Sequence, residues 1–150
     1  IRISPVDTLR EEEAVLGMTI SEYHVHASPE KIGSLFRSRR GVLLSPSTPG
    51  EGFGLPPVEA MSCGVPTVLS RIPSYTSFAE PVDYARFVDW KDHRDMASGV
   101  CQVLQESSEY ERLRARGLEV ASRYTFQRVA ERLEKALHYA GNQRSTTLSV

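Results

Sequence analysis

Residues 41–66 read GVLLSPSTPGEGFGLPPVEAMSCGVP. The segment opens with a short apolar run, residues 41–45, of the kind found in parallel strands that are covered on both faces. A loop with three glycines follows, and a helix is predicted over residues 57–63, closed by Gly64. A strand that leads through such a loop into a helix is the repeating unit of open α/β sheets, and ligands bind at the carboxyl edge of those sheets. The stretch therefore predicts an α/β fold with a ligand site in this loop.

The rest of the chain repeats the alternation of strands and helices. A helix start is predicted at Ser28-Pro29-Glu30, where a capping hydroxyl precedes proline at the first helical position. Three apolar stripes with helical spacing follow between Met96 and Leu137. Further strands are predicted over residues 1–4, 19–27, 65–70 and 85–88, and a first helix over residues 8–16. This order predicts a Rossmann-like parallel sheet with helices on both faces.

The amino-acid composition argues against several classes of function. The chain has 150 residues, with 18 Lys and Arg against 19 Asp and Glu, for a net charge of -1. That balance argues against bulk electrostatic binding of nucleic acid, and no apolar run reaches the roughly 20 residues of a transmembrane helix. The two cysteines, Cys63 and Cys101, lack the C-x-x-C spacing of zinc ribbons. We expect one domain over residues 1–141 and a disordered polar tail over residues 142–150.

The residues that could bind a ligand lie in the glycine-rich loop. Glycine at positions 50, 52 and 54 lets backbone amides approach a ligand, and amides that precede a helix favour an anion such as phosphate. Glu51 and Glu59 bracket these amides, and a carboxylate can accept two neighbouring hydroxyls of a sugar. Amides between two such carboxylates fit a nucleotide-sugar. The alternatives are a tight connection between strand and helix, and a Glu59 that only complements the helix dipole.

The segment Glu51-Gly-Phe-Gly-Leu-Pro-Pro-Val-Glu59-Ala-Met-x-Cys-Gly-x-Pro resembles the signature of the glycosyltransferase group 1 family, in which seven residues separate two glutamates. The resemblance covers about residues 1–140, and Arg123-Tyr-Thr-Phe126 is similar to the segment before the family's last helix. It implies the GT-B fold and, within it, the C-terminal, donor-binding domain of a retaining hexosyltransferase. The donor would be a nucleotide-diphosphate sugar, and the product a glycan or polysaccharide.

The resemblance also implies roles for individual residues. Glu51 would contact the donor sugar at the reacting centre, as the catalytic residue, and Glu59 would bind the ribose hydroxyls. The backbone amides of Gly52, Phe53, Gly54 and Leu55 would face the sugar and the diphosphate, with the Phe53 ring either stacked on the ligand or packed against the sheet. No metal ligand and no cofactor is implied.

Two departures from the family pattern shape the expectations. The Gly-Arg…Lys-Gly motif that holds the donor phosphates is absent, so the chain is expected to begin at about the second strand of the domain. We then expect the acceptor glycan or lipid to bind through a missing N-terminal domain, and the chain alone to be inactive. The family's glycine-rich turn after the next strand is replaced by Ser74, Tyr75 and Thr76, of which Tyr75 or Thr76 could contact the donor instead.

Two other functions fit the same residues. A non-catalytic module could keep the fold and bind a nucleotide-sugar or a protein, and an epimerase of the GT-B architecture could act on the donor without an acceptor. The expected location is the cytoplasm, with peripheral membrane attachment through the missing half as the alternative.

Overall fold

A computed structural model describes residues 13–15, 17, 19, 20, 22, 24 and 26–147, with side chains up to residue 140. The chain divides into two compact units, Ile1–Leu35 and Phe36–Val150. In the first unit residues 13–15 are helical, whereas the described positions of the strand predicted over residues 19–27 have no strand conformation. The strand predicted over residues 1–4 lies outside the described residues.

The helix predicted at Ser28 is confirmed as α1, Pro29–Ser38. The Ser28 hydroxyl accepts a hydrogen bond from the Lys31 amide at 3.3 Å, as the sequence predicts for a capping residue. Pro29 occupies the first helical position, where its missing N–H has no cost.

The second unit contains a parallel sheet of three strands in the order β1-β2-β3. The strands are β1, Leu43–Ser45, β2, Thr67–Ser70, and β3, Arg86–Val88. Each lies inside a predicted apolar run, and β2 is buried along its whole length. The predicted parallel sheet is thereby confirmed.

Five helices lie wholly in the second unit, within the residues that the structure describes. They are α2 (Leu55–Ser62), α3 (Pro73–Thr76), α4 (His93–Gln105), α5 (Ser107–Ala121) and α6 (Phe126–Thr147). Sequence patterns did not predict α3, a single turn without apolar periodicity. Helix α6 runs to Thr147 and so overlaps the tail predicted over residues 142–150; the glycine it contains costs about 1 kcal/mol, which a helix tolerates.

Helices cover both faces of the sheet. Leu69 packs in a cluster with Val58 and Met61 of α2, on one face, and Val68 packs with Met96 and Val103 of α4, on the other. Successive side chains of a strand point to opposite faces, which accounts for this division.

Two glycines let the helices approach closely. A Cβ on Gly99 of α4 would lie 3.0 Å from Val88 Cγ1 on β3. A Cβ on Gly117 of α5 would lie 3.1 Å from Met61 Cγ on α2. The helices are thus held at distances that a larger residue at either position would increase.

The N-terminus of α4 gives a first prediction. Asp92 accepts hydrogen bonds from the amides of Arg94, at 2.8 Å, and Asp95, at 3.1 Å. Replacing Asp92 with alanine leaves both donors without this partner and is expected to lower the free energy of unfolding by about 1 kcal/mol. Urea unfolding measures the change. Asp92→Asn is the control and should stay near wild type because asparagine caps equally well; an equal loss in both variants would contradict the capping role.

None of the helices in the described part of the chain has the length and apolar composition needed to cross a bilayer. Helix α6 has an exposed apolar stripe instead, formed by Phe126, Val129, Leu133 and Leu137.

Candidate functional site

The loop that joins β1 to α2 lies at the carboxyl edge of the sheet, as predicted. Its first half is fixed by a turn in which the Glu51 amide donates to the Thr48 carbonyl at 3.0 Å. The connection from β2 to α3 leaves the same edge, because the two strands are parallel and adjacent. Residues from both connections therefore meet at this edge.

Gly54 ends the loop and caps α2. Its backbone is left-handed, with φ 82° and ψ 75°, a conformation that L-residues with a side chain rarely adopt. A Cβ on Gly54 would overlap Tyr75 Cε1 and lie 3.1 Å from Tyr75 Cζ. The position thus requires glycine for two independent reasons. The helix begins at Leu55 and not at the predicted residue 57, because the Gly54 conformation starts it earlier.

Tyr75 supports the loop from the side of the sheet. Its ring is buried, and its hydroxyl lies 2.8 Å from the Ser45 hydroxyl and 2.7 Å from the Ser47 hydroxyl. Thr76, the other candidate donor contact in this turn, donates its hydroxyl to the Ile72 carbonyl at 3.2 Å. Both side chains are therefore engaged within the protein. Sequence patterns missed the supporting role of Tyr75, because its partners lie 28 and 30 residues away.

Glu51 is exposed on the loop, as expected of a ligand contact. Its Oε1 accepts from the Gly52 amide at 3.1 Å, and its Oε2 accepts a long hydrogen bond of 3.5 Å from the Ser47 hydroxyl. The Gly52 amide, predicted to face the diphosphate, donates to Glu51 here. A ligand would have to compete with Glu51 for this donor.

The other three predicted amides are unpartnered, and Gly54 among them is a buried residue. Within residues 26–147 the backbone amides of Phe53, Gly54 and Leu55 have no hydrogen-bond acceptor. Positions 56 and 57 are prolines without an N–H, so Leu55 supplies the first amide of α2. Unpartnered amides at a helix N-terminus attract an anion, because they carry the positive end of the helix dipole.

Glu59 is the fifth residue of α2 and is exposed. In the described part of the chain its carboxylate has no hydrogen bond or ion pair. It shares a helix face with Leu55, one turn earlier, while Val58 and Ala60 are buried against the core. Helical side chains tilt toward the N-terminus, so Glu59 projects along the face that leads back to the loop.

The Phe53 ring packs against two other aromatic rings, and 41% of the residue stays exposed. The ring centroids of Phe53 and Phe78 are 5.3 Å apart, and those of Phe53 and Tyr124 are 5.5 Å apart. The Tyr124 hydroxyl donates to the Phe78 carbonyl at 2.6 Å and holds this cluster together. The amide of Phe53 stays a candidate ligand contact, while its ring anchors the loop.

Tyr84 completes the support of α3. Its fully buried hydroxyl donates to the Tyr75 carbonyl at 2.5 Å. Desolvation by burial raises the pKa of Tyr84 to about 12. The group therefore contributes stability that is fully present below its unfolded pKa, about 10, and is lost as the pH rises toward 12. We expect the unfolding free energy to fall between pH 10 and 12 in wild type and less so in Tyr84→Phe; parallel urea curves over this range would contradict the assignment.

Metal binding has no support among the described residues, where no group of three or more His, Cys, Asp or Glu side chains could hold an ion. The expectation of a donor site without a metal ligand stays a prediction.

The sequence profile described as "Glycosyl transferases group 1" matches residues 18–120. The chain belongs to the glycosyl transferases group 1 family. This family member is 44% identical over 78 residues to the O-antigen chain mannosyltransferase B of Escherichia coli, a match that covers 51% of the chain and 20% of that relative. It is 34% identical over 109 residues to a sucrose synthase of Acidithiobacillus caldus, covering 67% of the chain and 14% of that relative.

A solved structure has the same fold as this family member. The sucrose-phosphate synthase from Thermosynechococcus elongatus superposes with a TM-score of 0.76 at 19% sequence identity. The match covers 92% of the chain and 34% of the synthase. The predicted fold class, an α/β fold of the GT-B type with a parallel sheet, is confirmed. The chain spans about a fifth of the mannosyltransferase and a third of the synthase.

Proposed function

We propose that this chain is the donor-binding part of a retaining glycosyltransferase that moves a hexose from a nucleotide-diphosphate sugar to an acceptor hydroxyl. One observation carries the proposal: unpartnered amides at Phe53, Gly54 and Leu55 lie in sequence between two exposed carboxylates, Glu51 and Glu59. An anion and two sets of sugar hydroxyls are the ligands that such groups recognise.

Each group has a role in this proposal. Glu59 holds the ribose hydroxyls and Glu51 the hydroxyls of the hexose, with each hydrogen bond to a carboxylate contributing about 1.5–3 kcal/mol. The amides of residues 53–55 face the diphosphate. Negative charge grows on that group as its bond to the sugar breaks, so amides fixed in advance stabilise the transition state more than the ground state. No metal and no cofactor is part of this mechanism.

The names of the relatives support a biosynthetic role. A mannosyltransferase of O-antigen chains and a sucrose synthase both handle hexoses. We propose a glycan or lipid acceptor, bound by an N-terminal domain outside these 150 residues, and a cytoplasmic location. The 150-residue chain by itself would bind the donor without transferring the sugar.

Calorimetric titration of the chain with UDP-, GDP- and ADP-sugars tests the proposal. Saturable binding with a preference for one nucleotide is expected, and loss of binding when the diphosphate is replaced by a monophosphate would support the amide site. Absence of binding to all three classes would contradict the proposal. Transfer or epimerisation by the chain alone, detected by product analysis, would contradict the expected inactivity.

A further inference from the structure

The Tyr75 hydroxyl forms hydrogen bonds that have no role in the donor contacts proposed above. It lies between the hydroxyls of Ser45 and Ser47, at 2.8 Å and 2.7 Å. Ser45 is the last residue of β1, and Ser47 lies two residues further, in the loop. Tyr75 belongs to α3, which follows the neighbouring strand. One hydroxyl therefore ties the start of the glycine-rich loop to a second connection at the same sheet edge.

The Glu51 carboxylate, at the end of this series of hydrogen bonds, determines which group donates in each of them. An ionised carboxylate only accepts, so Ser47 must donate its single proton to Glu51 Oε2. Ser47 can then only accept from Tyr75, and Tyr75 in turn accepts from Ser45. The result is an ordered chain of donors that starts on a rigid strand and ends on the Glu51 carboxylate. The Tyr75 ring is buried, its hydrogen bonds to the two serines are half-buried, and the bond from Ser47 to Glu51 is exposed; bonds of this kind strengthen one another most in the part that water does not reach.

The same side chain also shapes the other end of the loop. The Tyr75 ring fills the space in which a Gly54 side chain would stand. Glu51 and the left-handed Gly54 thus both depend on the position of one tyrosine. An exposed glutamate would otherwise sample several rotamers, and binding would have to restrict them.

We propose that Tyr75 is a positioning residue that orients Glu51 toward the donor sugar through Ser47. The inference rests on the proposed function, because it takes Glu51 as the contact of the transferred hexose. A residue that orients Glu51 can be distinguished from one that only stabilises the loop. Loss of the Tyr75 hydroxyl should weaken recognition of the sugar and leave recognition of the nucleotide unchanged.

Tyr75→Phe tests this, because it removes the hydroxyl and keeps the ring beneath Gly54. Calorimetry with the preferred nucleotide-sugar and with the matching nucleoside diphosphate should show about 3- to 10-fold weaker binding of the sugar form, the effect of one hydrogen bond. Binding of the nucleoside diphosphate should change less than about 2-fold. Ser47→Ala should act alike, and the double variant should be no weaker than either single one, since both break the same path.

Tyr110→Phe is the matched control. Tyr110 is also a buried tyrosine, and its hydroxyl donates to the Gly41 carbonyl at 3.2 Å, without contact to the loop. It should bind both ligands like wild type. Equal weakening of both ligands by Tyr75→Phe, additive losses with Ser47→Ala, or no change at all would overturn the inference.

A ligand-free measurement separates this inference from the proposed function. The Gly52 amide donates to Glu51 Oε1, so its resonance in ¹⁵N–¹H spectra reports the position of that carboxylate. It should move in Tyr75→Phe and Ser47→Ala and stay in place in Tyr110→Phe. If wild type binds no nucleotide-sugar but the resonance moves, the proposed function fails while the path from Tyr75 to Glu51 stands. An unmoved resonance overturns the path itself.

Discussion

Replacing Gly54 with alanine is expected to lower the free energy of unfolding by about 2–5 kcal/mol and to abolish donor binding. The left-handed conformation, with φ 82°, costs an L-residue about 1–2 kcal/mol. The new methyl group would also overlap Tyr75 Cε1, and overpacking of this kind costs about 1–3 kcal/mol. Tyr75 cannot move aside freely, because Ser45 and Ser47 hold its hydroxyl. Urea unfolding and calorimetry measure the two effects.

Gly52→Ala is the matched control in the same loop. A Cβ at Gly52 would have nothing within 4 Å, and the residue is exposed. Its unfolding free energy should stay within about 0.5 kcal/mol of wild type. Equal urea midpoints for Gly54→Ala and Gly52→Ala would show that the loop is not fixed by Tyr75, and the account of the site would have to be abandoned.

The second large effect concerns affinity alone. Glu59→Ala is expected to weaken binding of the nucleotide-sugar by about 10-fold or more, which corresponds to about 1.4 kcal/mol. The carboxylate would lose its hydrogen bonds to the ribose, which are stronger than those of a neutral acceptor. Stability should hardly change, since Glu59 is exposed and its carboxylate has no partner in the described part of the chain. Calorimetry and a urea curve on the same sample separate the two quantities.

Glu111→Ala controls for the loss of a surface charge. Glu111 is an exposed helical glutamate on α5, whose carboxylate pairs with Arg114 at 3.3 Å. Its removal should leave donor affinity at the wild-type value, because long-range effects of one exposed charge are largely screened by salt. An equal loss of affinity in both variants would assign the effect to net charge and remove Glu59 from the site.

Much of the fold follows from local signals. The apolar runs predict β1, β2 and β3, because buried strands are rich in apolar residues, although only β2 is buried along its whole length and β1 leaves Leu44 exposed. The capping signal at Ser28 predicts the start of α1, and its hydroxyl accepts from the amide three residues later. Helix boundaries that depend on the backbone conformation of one residue are harder to predict from the sequence. The start of α2 at Leu55 follows from the left-handed Gly54, which the sequence permits but does not impose.

The residues that could bind the ligand can be predicted from the sequence, whereas the residues that hold the loop in place cannot. The two glutamates and the glycines between them indicate the ligand class from their types and spacing alone. The contacts of Tyr75 with Ser45 and Ser47 join residues 28 and 30 positions apart, and no periodicity reports such a pair. The ring of Phe53 is a similar case, since only the folded chain brings Phe78 and Tyr124 beside it.

The most direct test of the central claim combines a change in the protein with a change in the ligand. The preferred nucleotide-sugar and its 2′,3′-dideoxyribose form are titrated into wild type and Glu59→Ala. If Glu59 holds the ribose, removal of the two hydroxyls weakens binding to wild type by about 10-fold and has almost no further effect on Glu59→Ala. Equal weakening in the two proteins would contradict the account, because the ribose would then be recognised by other residues.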